Sequence, residues 1–175
     1  MNMQSSVLKS PEPPAGMTAD PRAGKYLTFG LGNEEFGIQV IRVREIMGLQ
    51  EVTAVPHTPP CVKGVINLRG KVIPVVDLRL KFGMEPQDYT ACTCIIVVQL
   101  EQDGARFLTG LVVDQVSEVL SLQASEIEDT PDFGRGVATP YLLGMAKTKG
   151  KVKILLDINR LMTAQEVQGL AGVLA

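Results

Sequence analysis

The chain contains the same pattern twice. Residues 64–77 read GVINLRGKVIPVVD and residues 144–157 read GMAKTKGKVKILLD, at a constant offset of 80. Gly64, Gly70, Lys71, Val72 and Asp77 recur as Gly144, Gly150, Lys151, Val152 and Asp157. An earlier stretch repeats at an offset of 73: Gly37, Val40, Val43, Glu45 and Ile46 return as Gly110, Val113, Val116, Glu118 and Val119. Two units in the same order predict two similar subdomains, each too small to hold a large core of its own. The halves are therefore expected to pack on each other. Such a tandem has a cleft and two outer faces, which suits a connector better than a catalyst.

Within each unit the apolar period is that of strands. Leu27, Phe29 and Leu31 alternate with Tyr26, Thr28 and Gly30, the polar stretch from Gly32 to Glu35 turns the chain, and Phe36, Ile38 and Val40 alternate again. The segment 41–46 either extends that strand or makes one helical turn. A short strand over 52–55 stops at Pro56, and a hairpin over 65–76 turns at Arg69-Gly70. Asp77 is placed to cap a short helix, Leu78 to Phe82, ended by Gly83. The second unit repeats the plan, with a strand from Cys92 to Leu100, an Asp103-Gly104 hairpin turn, a return over 106–113 and a longer loop before Gly144. On Lys151–Leu156, alternation sets Val152, Ile154 and Leu156 on one face and Lys151 and Lys153 on the other. Asp157 again caps a helix, running through Leu161 and Met162 toward Val167.

About five short strands per unit, with Gly and Pro between them, predict an all-β chain of two small barrels sharing a core, since closure removes exposed edges. The expected organisation is a disordered tail over 1–24 (Pro11, Pro13, Pro14, Pro21 and no apolar period), a first barrel over 25–88, a second over 89–163, and a C-terminal helix or tail over 164–175. The formal net charge of −2 argues against a nucleic-acid binder. The longest clean apolar run is Ile95–Val98, so no membrane insertion is expected. Three cysteines, Cys61, Cys92 and Cys94, make no even framework, and a reduced cytoplasmic setting is expected.

Catalytic chemistry is poorly provided for. The single histidine, His57, lies in a Pro-rich turn with no partner implied. Cys92 and Cys94, two apart in the expected strand, share a face but lack the second pair a structural zinc needs. Asp77 and Asp157 occupy equivalent strand ends, which favours a capping role for both over a catalytic pair. No metal, cofactor or catalytic residue is expected. The lysines and arginines on the hairpins read as a solvated face, because stacking aromatics are missing. Glu45 and Arg69, each in an apolar context, are an ion-pair candidate across the first barrel.

Two strings carry a family resemblance: FGIQVIRVREIMG followed by VKGVINLRGKVIPVVDLRLKFG, and GLVVDQVSEVLSL followed by LLGMAKTKGKVKILLDINRLM. They resemble the CheW-like coupling proteins of chemotaxis over roughly 25–163. The resemblance implies two SH3-like five-stranded barrels on a shared core. It also implies a non-enzymatic adaptor joining the cytoplasmic tip of chemoreceptors to the regulatory domain of the histidine kinase CheA, itself a double barrel. By residue-for-residue match, the receptor-binding groove is Val43, Glu45, Lys63, Gly64, Arg69, Cys94, Val116 and Val119. The kinase contacts are Ile46, Gly70 and Val72, with Phe133 in the long loop of the second unit, and Glu45–Arg69 matches a family salt bridge. Cys94 departs from the aliphatic residue ordinary at its position, and Lys147-Thr148-Lys149 matches no partner contact. A CheW-type adaptor serving pili is the neighbouring alternative. A nucleic-acid-binding barrel is a more distant one, and would show steeply salt-dependent binding.

Overall fold

The hairpins form where the turn chemistry requires them. Arg69-Gly70, Asp103-Gly104 and Lys149-Gly150 all have positive φ at both residues, the geometry of tight two-residue turns whose twist matches the flanking strands. The computed structural model describes residues 20–130 and 141–162. In chain order the strands are β1 (Gly24–Leu31), β2 (Glu34–Gln39), β3 (Val43–Gly48), β4 (Val62–Leu68), β5 (Lys71–Asp77), β6 (Cys94–Gln102), β7 (Ala105–Val113), β8 (Gln115–Leu122), β9 (Ile127–Glu128), β10 (Leu142–Thr148) and β11 (Lys151–Leu156). Helix α1 (Leu78–Lys81) follows β5 and α2 (Ile158–Leu161) follows β11. A single 3-10 turn, Val40–Arg42, separates β2 from β3, so the segment left open by the sequence contains both a turn and a strand. The strand expected over 52–55 is reduced to one bridge, Thr53 to Val65.

The two sheets do not divide the chain at residue 88. One sheet runs β3-β6-β7-β5-β4 and the other β8-β1-β2-β11-β10-β9. Each repeat therefore donates its first hairpin to the other repeat's barrel: β1–β2 completes the second, and β6–β7 the first. The exchange is symmetric to the residue. Val75 stands beside Gly110 in the parallel β5–β7 pair, and Leu155 stands beside Gly37 in the parallel β11–β2 pair. Sequential boundaries at 25–88 and 89–163 follow the repeat, whereas closure follows the pairing edges available, and each hairpin finds its parallel partner in the other unit. The second sheet also has a sixth strand, the two-residue β9.

Three apolar clusters follow from this arrangement. Ile66, Ile73, Val75, Ile95, Val97 and Val112 fill the first barrel. Tyr26, Leu122, Ile127, Ala146 and Leu155 fill the second. Their strand neighbours Val76, Ile96, Leu27 and Leu156 point the other way, into a core shared by both sheets. Strands covered on both faces explain why β1 is buried at six consecutive positions instead of alternating. Phe29, Phe36, Phe82 and Tyr141 stack in series through the shared core at centroid spacings of 5.9, 5.5 and 5.4 Å.

Several local expectations change. Lys153 is 3% exposed while Val152 is exposed, the reverse of the faces read from alternation on β11. The inward Lys153 is tolerated because Glu35, opposite it on β2, accepts its ammonium. Cys92 lies in the exposed turn before β6 and not in the strand, so it does not share a strand face with Cys94. Asp77 accepts from the amides of Arg79 and Leu80, and Asp157 from that of Asn159, which makes both of them helix caps. Within the tail expected over 1–24, the described residues from Asp20 onward are held by hydrogen bonds. Arg22 bonds Asp20, Asp129 and the Leu143 carbonyl, and Tyr26 donates to the Arg22 carbonyl. Residues 1–19, the helix or tail over 164–175 and Phe133 lie outside the described residues.

Candidate functional site

Glu45 sits on β3 with its side chain toward the barrel, as the alternation of half-buried and exposed positions on that strand shows. Strand β3 is one edge of its sheet, and the β4–β5 turn lies at the other. Arg69, in that turn, donates to the Glu45 carboxylate at 2.6 Å and so ties the two edges together. Gly70 donates its amide to Asn67, which fixes the turn. Next to this tie, Ile46 on the outer face of β3 is 45% exposed and Val72 at the start of β5 is 50% exposed. Ile46 and Val72 are thus β-branched apolar residues exposed beside the tie, and Ile41 and Leu49 are exposed apolar residues just beyond the two ends of β3.

The second barrel carries the same device. Lys149, equivalent to Arg69, bonds Glu118, equivalent to Glu45, at 2.9 Å. Val119 and Val152, equivalent to Ile46 and Val72, are 54% and 44% exposed. This twin pair was missed in the sequence, although its signal was there in the offsets of 73 and 80 applied to Glu45 and Arg69. The two ion pairs are exposed, and such pairs contribute about 1 kcal/mol or less to stability. Their effect is to hold the turn cation in place.

The other matched residues fall in different surroundings. Val43 and Val116 are half-buried on β3 and β8 and pack against the shared core, as does Cys94 at the start of β6. Lys63, on β4, sets its ammonium 5.8 Å from the Tyr89 ring centroid in a separate depression with Asp77 and Leu80. There Tyr89 donates to Asp77 at 2.9 Å, and burial, followed by the Asp77 carboxylate, pushes the phenol well above its usual range. Gly64 is buried in a bulge of β4, with no room for a side chain. Val119 stands on the outer face of β8, the twin of Ile46 and apart from the half-buried Val116.

A buried arginine, also unforeseen in the sequence, locks the linker between units. Arg79 donates to Asp114 at 2.8 and 2.5 Å, to the Glu85 carbonyl and to Gln87, and Asp114 accepts from the Gly32 amide. The guanidinium holds the Asp114 carboxyl below the ordinary carboxylate range. One side chain thus joins α1, the linker, the β7–β8 corner and the β1–β2 turn. His57 lies in an exposed turn with positive φ.

Two β-barrels closed by each other's hairpins, with paired apolar and ionic features on their outer edges, define a duplicated scaffold of the protein-binding kind. The chain belongs to the CheW-like domain family, whose model matches residues 25–166. It is 42% identical over 143 residues to the chemotaxis protein CheW of Klebsiella aerogenes, covering 82% of this chain and 84% of that one. It is 36% identical to a probable chemotaxis protein CheW of Rhizobium etli, covering 81% of this chain and 89% of the relative. Among solved structures it is similar to the scaffolding protein TtCheW from Thermoanaerobacter tengcongensis, with a TM-score of 0.71 at 33% identity, covering 82% of this chain and 95% of that one. Among the described residues no helix is long and apolar enough to cross a membrane.

Proposed function

We propose that this protein is a non-enzymatic chemotaxis adaptor that couples the cytoplasmic tip of membrane-anchored chemoreceptors to the regulatory domain of the histidine kinase CheA. It acts in the cytoplasm at the receptor array. The observation that carries this reading is the exposed apolar pair Ile46 and Val72 beside the Glu45–Arg69 tie, on a chain of the CheW-like family. The kinase face comprises Ile46, Gly70 and Val72. Receptors engage Val43, Glu45, Lys63, Gly64, Arg69, Cys94, Val116 and Val119. An apolar β-edge flanked by a fixed charge suits a second barrel, because apolar contact supplies affinity and the charge sets register.

The test is a pull-down with the CheA regulatory domain from the same organism, repeated with Val72→Glu. Binding that the substitution abolishes supports the adaptor reading and its kinase face. Retention of binding by Val72→Glu moves the kinase contact elsewhere. No binding between two folded partners removes the coupling role.

A further inference from the structure

Duplication places the same backbone around Glu45–Arg69 and Glu118–Lys149, so side chains that differ between the two places are informative. Beside Glu45–Arg69 lies a depression of about 330 Å³ rimmed by Arg44, Arg69, Lys71 and Arg106. Leu68, Val97 and Leu108 supply apolar lining. Four lining cations face one lining carboxylate, Glu45, on a chain whose formal net charge is −2. Arg44 is held by neutral acceptors, with Nε donating to Gln99 and Nη1 to the Ile41 carbonyl, both at 3.0 Å. Its charge therefore remains uncompensated. The Lys71 ammonium has no hydrogen-bond or ion-pair partner among the described residues. Arg106 reaches Glu101 at 3.5 Å.

The corresponding place on the second barrel differs in kind. Ser117 stands for Arg44 and Thr148 for Leu68 by the repeat offsets. By the matching strand pairings, Thr28 stands for Val97 and Glu35 for Leu108. Two of the four rim cations recur there, Arg69 as Lys149 and Lys71 as Lys151, whereas Arg44, Arg106 and the apolar floor do not, so with the same strand plan the floor and the fuller cationic rim are not demands of the fold.

We propose that this depression docks an acidic segment of a protein partner, with carboxylates spaced about an apolar side chain. The apolar side chain covers Leu68, Val97 and Leu108, and the carboxylates reach Arg44, Lys71 and Arg106. Removing water from that floor strengthens each ionic contact at the rim. The floor favours protein over nucleic acid, since Phe107 is the only lining aromatic on which a base could stack. The inference rests on the adaptor reading in one respect: the segment belongs to one of the proteins the adaptor joins.

The experiment uses the full chain and a short fluorescein-labelled peptide of alternating glutamate and leucine, read by anisotropy and by amide shifts in 15N-labelled protein. Binding is expected to perturb amides around Arg44, Leu68 and Arg106, and to weaken as salt rises. The triple variant Arg44→Ser, Lys71→Ala, Arg106→Ser weakens it by about tenfold or more, a loss equivalent to ~1.4 kcal/mol. The barrel-two variant Lys147→Ala, Lys151→Ala leaves it within about twofold. Equal losses in both variants, no binding, or tighter competition by a thymidine oligonucleotide than by unlabelled peptide would each overturn the proposal. The three substituted side chains lie on the surface, and unchanged amide dispersion outside the depression verifies that the triple variant is folded. Failure here with an intact kinase pull-down sinks only this inference, and peptide binding without kinase binding sinks the adaptor reading and, with it, only the assignment of the segment to one of the joined proteins.

Discussion

Gly64 is the most tightly enclosed of the described glycines. A Cβ built there would lie 2.0 Å from the Thr53 carbonyl oxygen, and its φ of +145° is one that side-chain-bearing residues rarely adopt. Gly64→Ala is expected to destabilise the protein by about 3 kcal/mol or more, measured by urea unfolding. Gly144→Ala, whose Cβ would meet the Glu128 carbonyl at 2.7 Å, should cost less. Arg69→Ala separates function from stability. Its ion pair is exposed, so the loss of stability stays near or below about 1 kcal/mol. Receptor-dependent kinase activation should nonetheless fall, since the turn is no longer tied to β3. A variant with wild-type coupling would rule out that role for the pair. At this scale much was legible: the capping aspartates could be read from strand-end position, and the Glu45–Arg69 pair from charges in apolar context. The Arg79–Asp114 lock was not, because nothing local links residues 35 positions apart in sequence.

Strand β11 shows how an element can carry a pattern and still be misread. Alternation tells which residues share a face, not which face turns inward, and on β11 Lys153 and Leu155 are buried while Lys151 and Val152 are exposed. Lys153 occupies the place that Ile73 holds in the first barrel, and Glu35 the place of Leu108. Replacing a buried ion pair by packed apolar residues is often neutral or favourable, whereas removing one partner strands the other. The double change Lys153→Ile, Glu35→Leu is therefore expected to match or exceed wild-type stability, by up to ~3 kcal/mol. Lys153→Ile alone should lower the melting temperature. A double variant less stable than the single one would show that the pair is worth more than its desolvation. The hairpins were legible because Asp-Gly and Arg-Gly turns announce themselves locally. The destination of each hairpin was not, since pairing between β2 and β11 depends on residues 118 positions apart.

Two predictions belong to the whole molecule. Glu35, held by the Lys153 ammonium, and Asp114, held by the Arg79 guanidinium, both have carboxyl pKa values lowered from 4.5 and 3.8. Protons therefore bind the unfolded chain more readily. Their contribution to stability is fully present above those ordinary values and disappears as pH falls through the lower, folded-state ones. The urea midpoint should be flat near neutrality and decline below about pH 4.5. The Lys153→Ile, Glu35→Leu variant should show a shallower decline. A midpoint that rises on acidification would contradict the assignment. Separately, residues 25–88 and 89–163 expressed as two chains should each lack the dispersed amide spectrum of a folded β-protein and recover it on mixing. A folded half would show that the exchanged hairpin is dispensable.

The exchange of hairpins carries a consequence for origin and divergence. A single repeat set loose would own an open barrel and a hairpin with nowhere to lie. Two identical copies would satisfy each other about a twofold axis, as a dimer with two indistinguishable ends. Joining the copies in one polypeptide keeps that axis inside the molecule but frees the ends to differ. The substitutions that separate Arg44 from Ser117, Val97 from Thr28 and Leu108 from Glu35 are what such freedom permits. A symmetric brace thereby becomes a polar connector, able to present one chemistry to the neighbour on its left and another to the neighbour on its right.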